Sequence, residues 1–271
     1  RAQPPERLRT GGDKPFSDAE IQGFIKTGIE EHDVLKFQPK SYSKNLVPAR
    51  EALDLPEVRS LGLPYGGKTR GTVKNYTWIS EPPQEIVLKV KTGLVYANRG
   101  TVKISLAHWN GENFQTRIQK EVPPDQQWHE VRLTAEKEGL HRVMWDERMS
   151  GTRVKWPPDL KLTTLSNEGH VKQVTGRHSW YFYVPEGTEV VGAYAQGRAG
   201  SLHNAKGKKV LDFKKVPSDY VSIEVPEGQD ARLWSVRKLA GKFRLLTVPP
   251  YAAGSAEDLL LPAEVVRQMD N

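Results

Sequence analysis

The stretch Trp180-Tyr181-Phe182-Tyr183-Val184-Pro185-Glu186-Gly187 limits the possible folds more than any other part of the chain. Its period-two alternation reads as a β-strand, because successive strand side chains point to opposite faces. Pro-Glu-Gly then closes it as a turn. An echo lies at a constant offset of 94 residues: Val90 matches Val184, Gly93 matches Gly187, Val122 matches Val216, Pro123 matches Pro217 and Asp125 matches Asp219. Positions matching Trp180, Phe182 and Val184 are Ile86, Leu88 and Val90, all apolar. Those side chains are expected to face a core, which leaves Tyr181 and Tyr183 pointing outward.

Similar short alternating runs fill the rest. In the first half they fall at 72–79, 85–90, 101–108, 114–122, 128–134 and 139–144; in the second at 180–184, 189–195, 200–204, 208–213, 220–225, 231–237 and 244–248. Many short strands with a turn every 8–12 residues predict an all-β chain of sandwich or jelly-roll type and argue against alternating α/β. The expected organisation is a helical and loop segment over 1–71, then tandem antiparallel β-sandwich modules at 72–157 and 178–250. A linker at 158–177 separates the modules, and a helical tail covers 251–271. A capping box, Ser17 with Glu20 ahead of Ile21, Phe24, Ile25 and Ile29, places the N-terminal helix. Ser255 is expected to cap the tail helix, with Leu259, Leu260, Val265 and Val266 packing back onto a sheet.

Composition narrows the partners. No apolar run approaches the ~20 residues of a membrane-spanning helix. The chain opens on Arg with no secretory leader and is expected to be a mature product or an excised piece. It has no cysteine, which excludes disulfides and thiolate metal sites. A net charge of +7 suits polyanions, although a dispersed solubilising surface gives the same number. Apart from Lys206 to Lys209 and Lys214-Lys215, the basic residues are scattered, unlike the block a nucleic-acid arm carries.

Two local patterns need their context. Gly62-Leu63-Pro64-Tyr65-Gly66-Gly67-Lys68-Thr69 fits a phosphate-binding P-loop letter for letter. That motif needs a helix after it, whereas 72–79 reads as a strand, so it is expected to be an idle loop. Around Asn110-Gly111, a three-residue hairpin loop would pair Ile104 with Ile118 and His108 with Phe114, keeping apolar faces together. Trp109 then stands at the hairpin tip, on the face opposite Ile104 and Leu106.

The runs Tyr181-Phe182-Tyr183-Val184-Pro185-Glu186-Gly187-Thr188, Leu202 to Val210 through Asn204 and Gly207, Val225-Pro226-Glu227-Gly228-Gln229-Asp230 and Leu233-Trp234 resemble the C-terminal β-sandwich modules of secreted bacterial hydrolases. The likeness is to the pre-peptidase C-terminal type and related carbohydrate-binding sandwiches, and it covers about a quarter of the chain. It implies an extracellular or periplasmic accessory role, no fixed catalytic residue, and no cofactor beyond a possible structural calcium, although the Asp-rich turns that hold calcium are sparse here.

Tyr181 and Tyr183, about 7 Å apart along a strand, are candidates for stacking on successive sugar rings, and Trp109 is a third. Trp128, Trp145, Trp156 and Trp234 are expected in the core or at seams. His108, His129 and His141 could converge as a zinc site. Asp146 and Glu147, adjacent on a strand, point to opposite faces and cannot form a glycosidase pair. A lyase would need a set such as His141, Arg142, Tyr96 and Arg99. The sequence therefore favours a non-catalytic module that binds polysaccharide, expected to be anionic, alongside the catalytic domain of a larger protein. The alternatives are a polysaccharide lyase or glycoside hydrolase with an inter-module cleft, and a structural assembly module without a small ligand.

Overall fold

The computed structural model describes residues 37–64, 67–166, 177–216 and 219–267. All belong to one compact unit, Phe37–Asn271. The helix expected from Ser17 onward lies outside the described residues. The fold is all-β. In the first half the strands are β1 (Leu46–Pro48), β2 (Thr69–Ile79), β3 (Gln84–Lys91), β4 (Val102–Trp109), β5 (Phe114–Val122), β6 (Trp128–Ala135), β7 (Gly139–Lys155) and β8 (Thr163–Leu165). They are followed by β9 (His178–Val184), β10 (Val190–His203), β11 (Lys209–Asp212), β12 (Asp219–Glu224), β13 (Arg232–Leu245), β14 (Tyr251–Ala253) and β15 (Leu260–Pro262). A 3-10 turn, Phe213–Lys215, and a short helix α1, Ala263–Arg267, complete the elements.

One sheet path, β11-β10-β13-β9-β14-β8-β2-β7-β3-β6, runs through both halves, with β4 and β5 branching from β7 and β12 from β10. The expected separation into tandem sandwiches is therefore not what forms. Its cause is visible in two three-residue strands. Strand β8, from the expected linker, pairs with β2, and β14, from the expected tail, pairs with both β8 and β9. Together they close the gap between the halves. Val90 and Val184 are both fully buried, as the 94-residue offset requires. Both glycines also take the left-handed conformation, with φ of +75° and +68°, but their surroundings differ: a Cβ on Gly93 would lie 2.3 Å from the Pro124 carbonyl oxygen, whereas one on Gly187 would meet nothing within 4 Å. The tail is also mostly strand and turn. Ser255 caps a turn by accepting from the Asp258 N–H, and Leu259, Leu260 and Val265 are buried as anticipated.

Long strand β7 makes the first half a sandwich. Its N-terminal part pairs with β2 and β4, and its end, Arg153 to Lys155, pairs with β3 in a smaller sheet. The switch occurs where the register steps from Gly71↔Glu147 to Thr69↔Thr152, so that residues 148–151 bulge out. The Glu147 carboxylate closes this bulge, accepting from the Gly71 N–H at 2.7 Å, the Thr152 hydroxyl at 3.1 Å and the Gly151 N–H. Gly151 is required there, since its φ is +83° and a Cβ would meet Val95 at 2.6 Å. Between the sheets lie Val73, Ile104, Leu106, Val143 and Trp145 from one side and Ile86, Leu88, Val90, Val131 and Leu133 from the other.

In the second half β10 and β13 are single long strands, each expected as two. They bend where their pairing shifts register. Gly241 sits at that crossing, where a Cβ would be 2.0 Å from the Gln196 carbonyl oxygen. Trp180, Phe182 and Val184 face a core with Trp234, Phe213 and Phe243, as the alternation requires. The opposite face of the continuous sheet carries a third core, in which Leu46, Leu53, Leu55 and Leu259 to Leu261 cover Tyr76, Tyr181, Tyr183 and Tyr251.

Candidate functional site

Of the three aromatics expected to bind ligand, none stands open. Tyr181 and Tyr183 are 7% and 2% exposed. The Tyr181 hydroxyl donates to the Arg59 carbonyl at 3.2 Å, and both rings lie in the core beneath the 46–61 and 256–265 segments. Their outward-facing assignment assumed a sheet with one wet face. Here both faces are covered, so the rings carry seam packing and offer no surface to a sugar. Trp109 is half-buried and packs on Phe114, with ring centres 5.0 Å apart. The hairpin loop holds four residues, not three: Trp109 pairs with Phe114, and a bulge past Thr116 restores Leu106 opposite Ile118.

Tyr96, Trp128 and Tyr220 are the exposed aromatics among the described residues, each 43% accessible. Two of them, Tyr96 and Trp128, lie directly by a cation. Arg70 and Arg99 stand 5.4 and 5.2 Å from the Tyr96 ring centre. Lys155 stands 4.8 Å from Trp128. Tyr220 packs edge-on against Tyr194, which has Arg244 at 5.6 Å.

Trp128 has the most extended setting. It lies on the outer face of the small sheet β6-β3-β7, whose inner face holds Val131, Leu133, Leu88 and Val90. Because the inward set is fixed, the alternate residues point out. Register places Arg153, Lys91 and Trp128 in one row, and Lys155, Lys89 and Glu130 in the next. Rows of this kind stand about 7 Å apart along the strands, with about 4.8 Å between neighbours across them. The carboxylates of this face, Glu85 and Glu130, are both bound by Arg132. Lys89, Lys91, Arg153 and Lys155 are thereby left as a cationic strip beside an open indole. Trp128 was expected in a core or seam; its phase shows otherwise, since it is three residues from buried Val131 and five from buried Leu133.

The catalytic sets considered from sequence are dispersed. Glu147 is buried in the β7 bulge, while Asp146 is exposed and accepts from the Thr72 hydroxyl at 2.9 Å. Burial holds the Glu147 carboxyl above the usual carboxylate range, against the pull of its N–H and hydroxyl donors and of Arg70. Arg142 covers the Phe114 ring at 4.6 Å, so it does not join Tyr96 and Arg99. His129 lies on β6 and bonds Asp125 at 2.9 Å, apart from the facing pair His108 and His141. Among the described residues no group of three or more His, Cys, Asp or Glu side chains could hold a metal. Strand β2, not a helix, follows the P-loop-like run, and Lys68 Nζ donates to the Leu94 carbonyl at 3.3 Å. No described helix is long and apolar enough to cross a membrane.

Comparison with protein-family models, with curated proteins and with solved structures returns no match to this chain.

Proposed function

We propose that the chain is a non-catalytic module that binds an anionic polysaccharide on the outer face of β6-β3-β7, as an accessory of an extracellular or periplasmic carbohydrate-degrading system. The observation that carries this reading is Trp128, an exposed indole in register with Lys91 and Arg153 and capped by Lys155. An open aromatic face stacks on a pyranose ring, and lysine and arginine heads at strand spacing meet carboxylate or sulfate groups on successive sugars. This also gives part of the +7 charge a defined place. Calorimetric titration against alginate, pectin, a sulfated galactan and a neutral glucan tests it. Binding is expected with one or more of the acidic polymers and not with the glucan. Equal affinity for the glucan, or binding to none, would overturn it.

A second reading, an assembly module without a small ligand, draws support from the burial of Tyr181 and Tyr183. Aromatics read as sugar platforms serve instead to join the two halves of the molecule. Failure of the whole glycan panel would leave this reading in place.

A further inference from the structure

Across the inner face of the larger sheet, one row of the first half is polar on all three of its strands. His108 on β4 lies opposite His141 on β7, and His141 lies opposite Thr77 on β2. Their neighbours of the same phase, Leu106, Val143 and Val73, belong to the inter-sheet core, so this row lies on the core side of the sheet. Thr77 and His141 are 0% and 2% exposed.

The hydrogen bonds of the two imidazoles define their free atoms. His108 Nε2 lies 3.1 Å from the Glu138 carbonyl oxygen, and His141 Nδ1 lies 3.0 Å from that of Gly139. A carbonyl only accepts, so those nitrogens carry the protons. In the neutral rings this leaves His108 Nδ1 and His141 Nε2 with lone pairs. His108 Nδ1 is buried without a hydrogen-bond partner, and so are Thr77 Oγ1 and both amide atoms of Asn75, two residues along β2. Buried polar atoms are nearly always satisfied, and several orphans near one another signal a missing water or ion. A histidine whose second nitrogen donates to a carbonyl is the usual arrangement of a metal ligand.

The spacing fits as well. The ring centres are 5.0 Å apart. Two imidazoles on one metal, with metal–nitrogen bonds of about 2.0–2.1 Å and a near-tetrahedral angle, would place their centres about 5 Å apart. We propose that His108 and His141 form a two-imidazole site for a borderline divalent ion of the zinc or copper(II) class. Water completes the coordination, and Thr77 in this row and Asn75 in the next supply partners for that water. Two neutral nitrogen donors select this class over calcium or magnesium, which take oxygen ligands.

The test is titration of the full chain with zinc chloride and with copper(II) chloride by calorimetry, with electron paramagnetic resonance of the copper form. One saturable site is expected, with copper coupled to two imidazole nitrogens. His108→Gln and His141→Gln should each weaken it by about tenfold or more. His129→Gln, which removes the imidazole paired with Asp125 on the other sheet, should leave it unchanged. If either glutamine variant unfolds, the wild-type spectrum decides alone. No saturable binding, coupling to fewer than two imidazoles, or affinity retained in a folded His108→Gln/His141→Gln double variant would overturn the proposal.

Discussion

His178 enters β9 only 6% exposed and with its Nδ1 lacking a hydrogen-bond partner. Burial pushes its pKa down from 6.5 to about 4, so the folded chain holds it neutral. The unfolded chain takes up a proton near the ordinary value, and stability follows that difference. The contribution is present in full above pH 6.5 and is lost as pH falls toward 4, amounting to about 3 kcal/mol. His141, held low by burial, acts in the same direction. Glu147, held high, acts oppositely between the ordinary carboxylate pKa and its own raised value. Denaturant unfolding at pH 7.5 and pH 4 should therefore show a smaller acid loss in His178→Phe than in wild type. Equal losses would mean that this ring is solvated or paired.

At the scale of elements, the bulge in β7 rests on one carboxylate whose two oxygens take different donors: Oε1 the Gly71 N–H, and Oε2 the Gly151 N–H and Thr152 hydroxyl. Glu147→Gln turns an amide NH2 toward a backbone N–H on one side. That change is expected to cost about 2 kcal/mol, the penalty of a buried donor left unpaired. A thermal melt that matches wild type would show the bulge to be held by packing alone. Strands themselves were legible because alternation is local; residues 114–122 were read with the bounds that β5 has. The continuity of β10 and β13 was not, because the interruptions around Gly197 and Gly241 look like turns until the two strands are seen to bend together. Burial of Tyr181 and Tyr183 depends on residues more than a hundred positions away, such as Arg59, which no local pattern conveys. The outward position of Trp128 was legible from its odd-numbered spacing to buried Val131 and Leu133, although it was expected in a core or seam.

For the whole molecule, the sheet path and the third core tie both halves together. Tyr76 from the first half and Tyr181, Tyr183 and Leu233 from the second share one core. The described unit should accordingly unfold in one calorimetric transition, with van't Hoff and calorimetric enthalpies in agreement. Two resolved transitions would restore independent modules. The charge of the molecule bears on function in the same way, through the strip beside Trp128. Exposed cations act over about 8 Å at physiological ionic strength, so contacts to a polyanion should weaken as salt rises, whereas stacking should not. The most direct measurement is titration of the acidic glycan found to bind, at low and raised sodium chloride, with wild type, Trp128→Ala and Lys89→Ala/Lys155→Ala. Trp128→Ala should lose about 1–2 kcal/mol at both salts with an unchanged melting temperature, by analogy with aromatic stacking. The lysine variant should bind more weakly at low salt and show less salt dependence. Undiminished affinity in both variants would contradict placement of the binding face on β6-β3-β7.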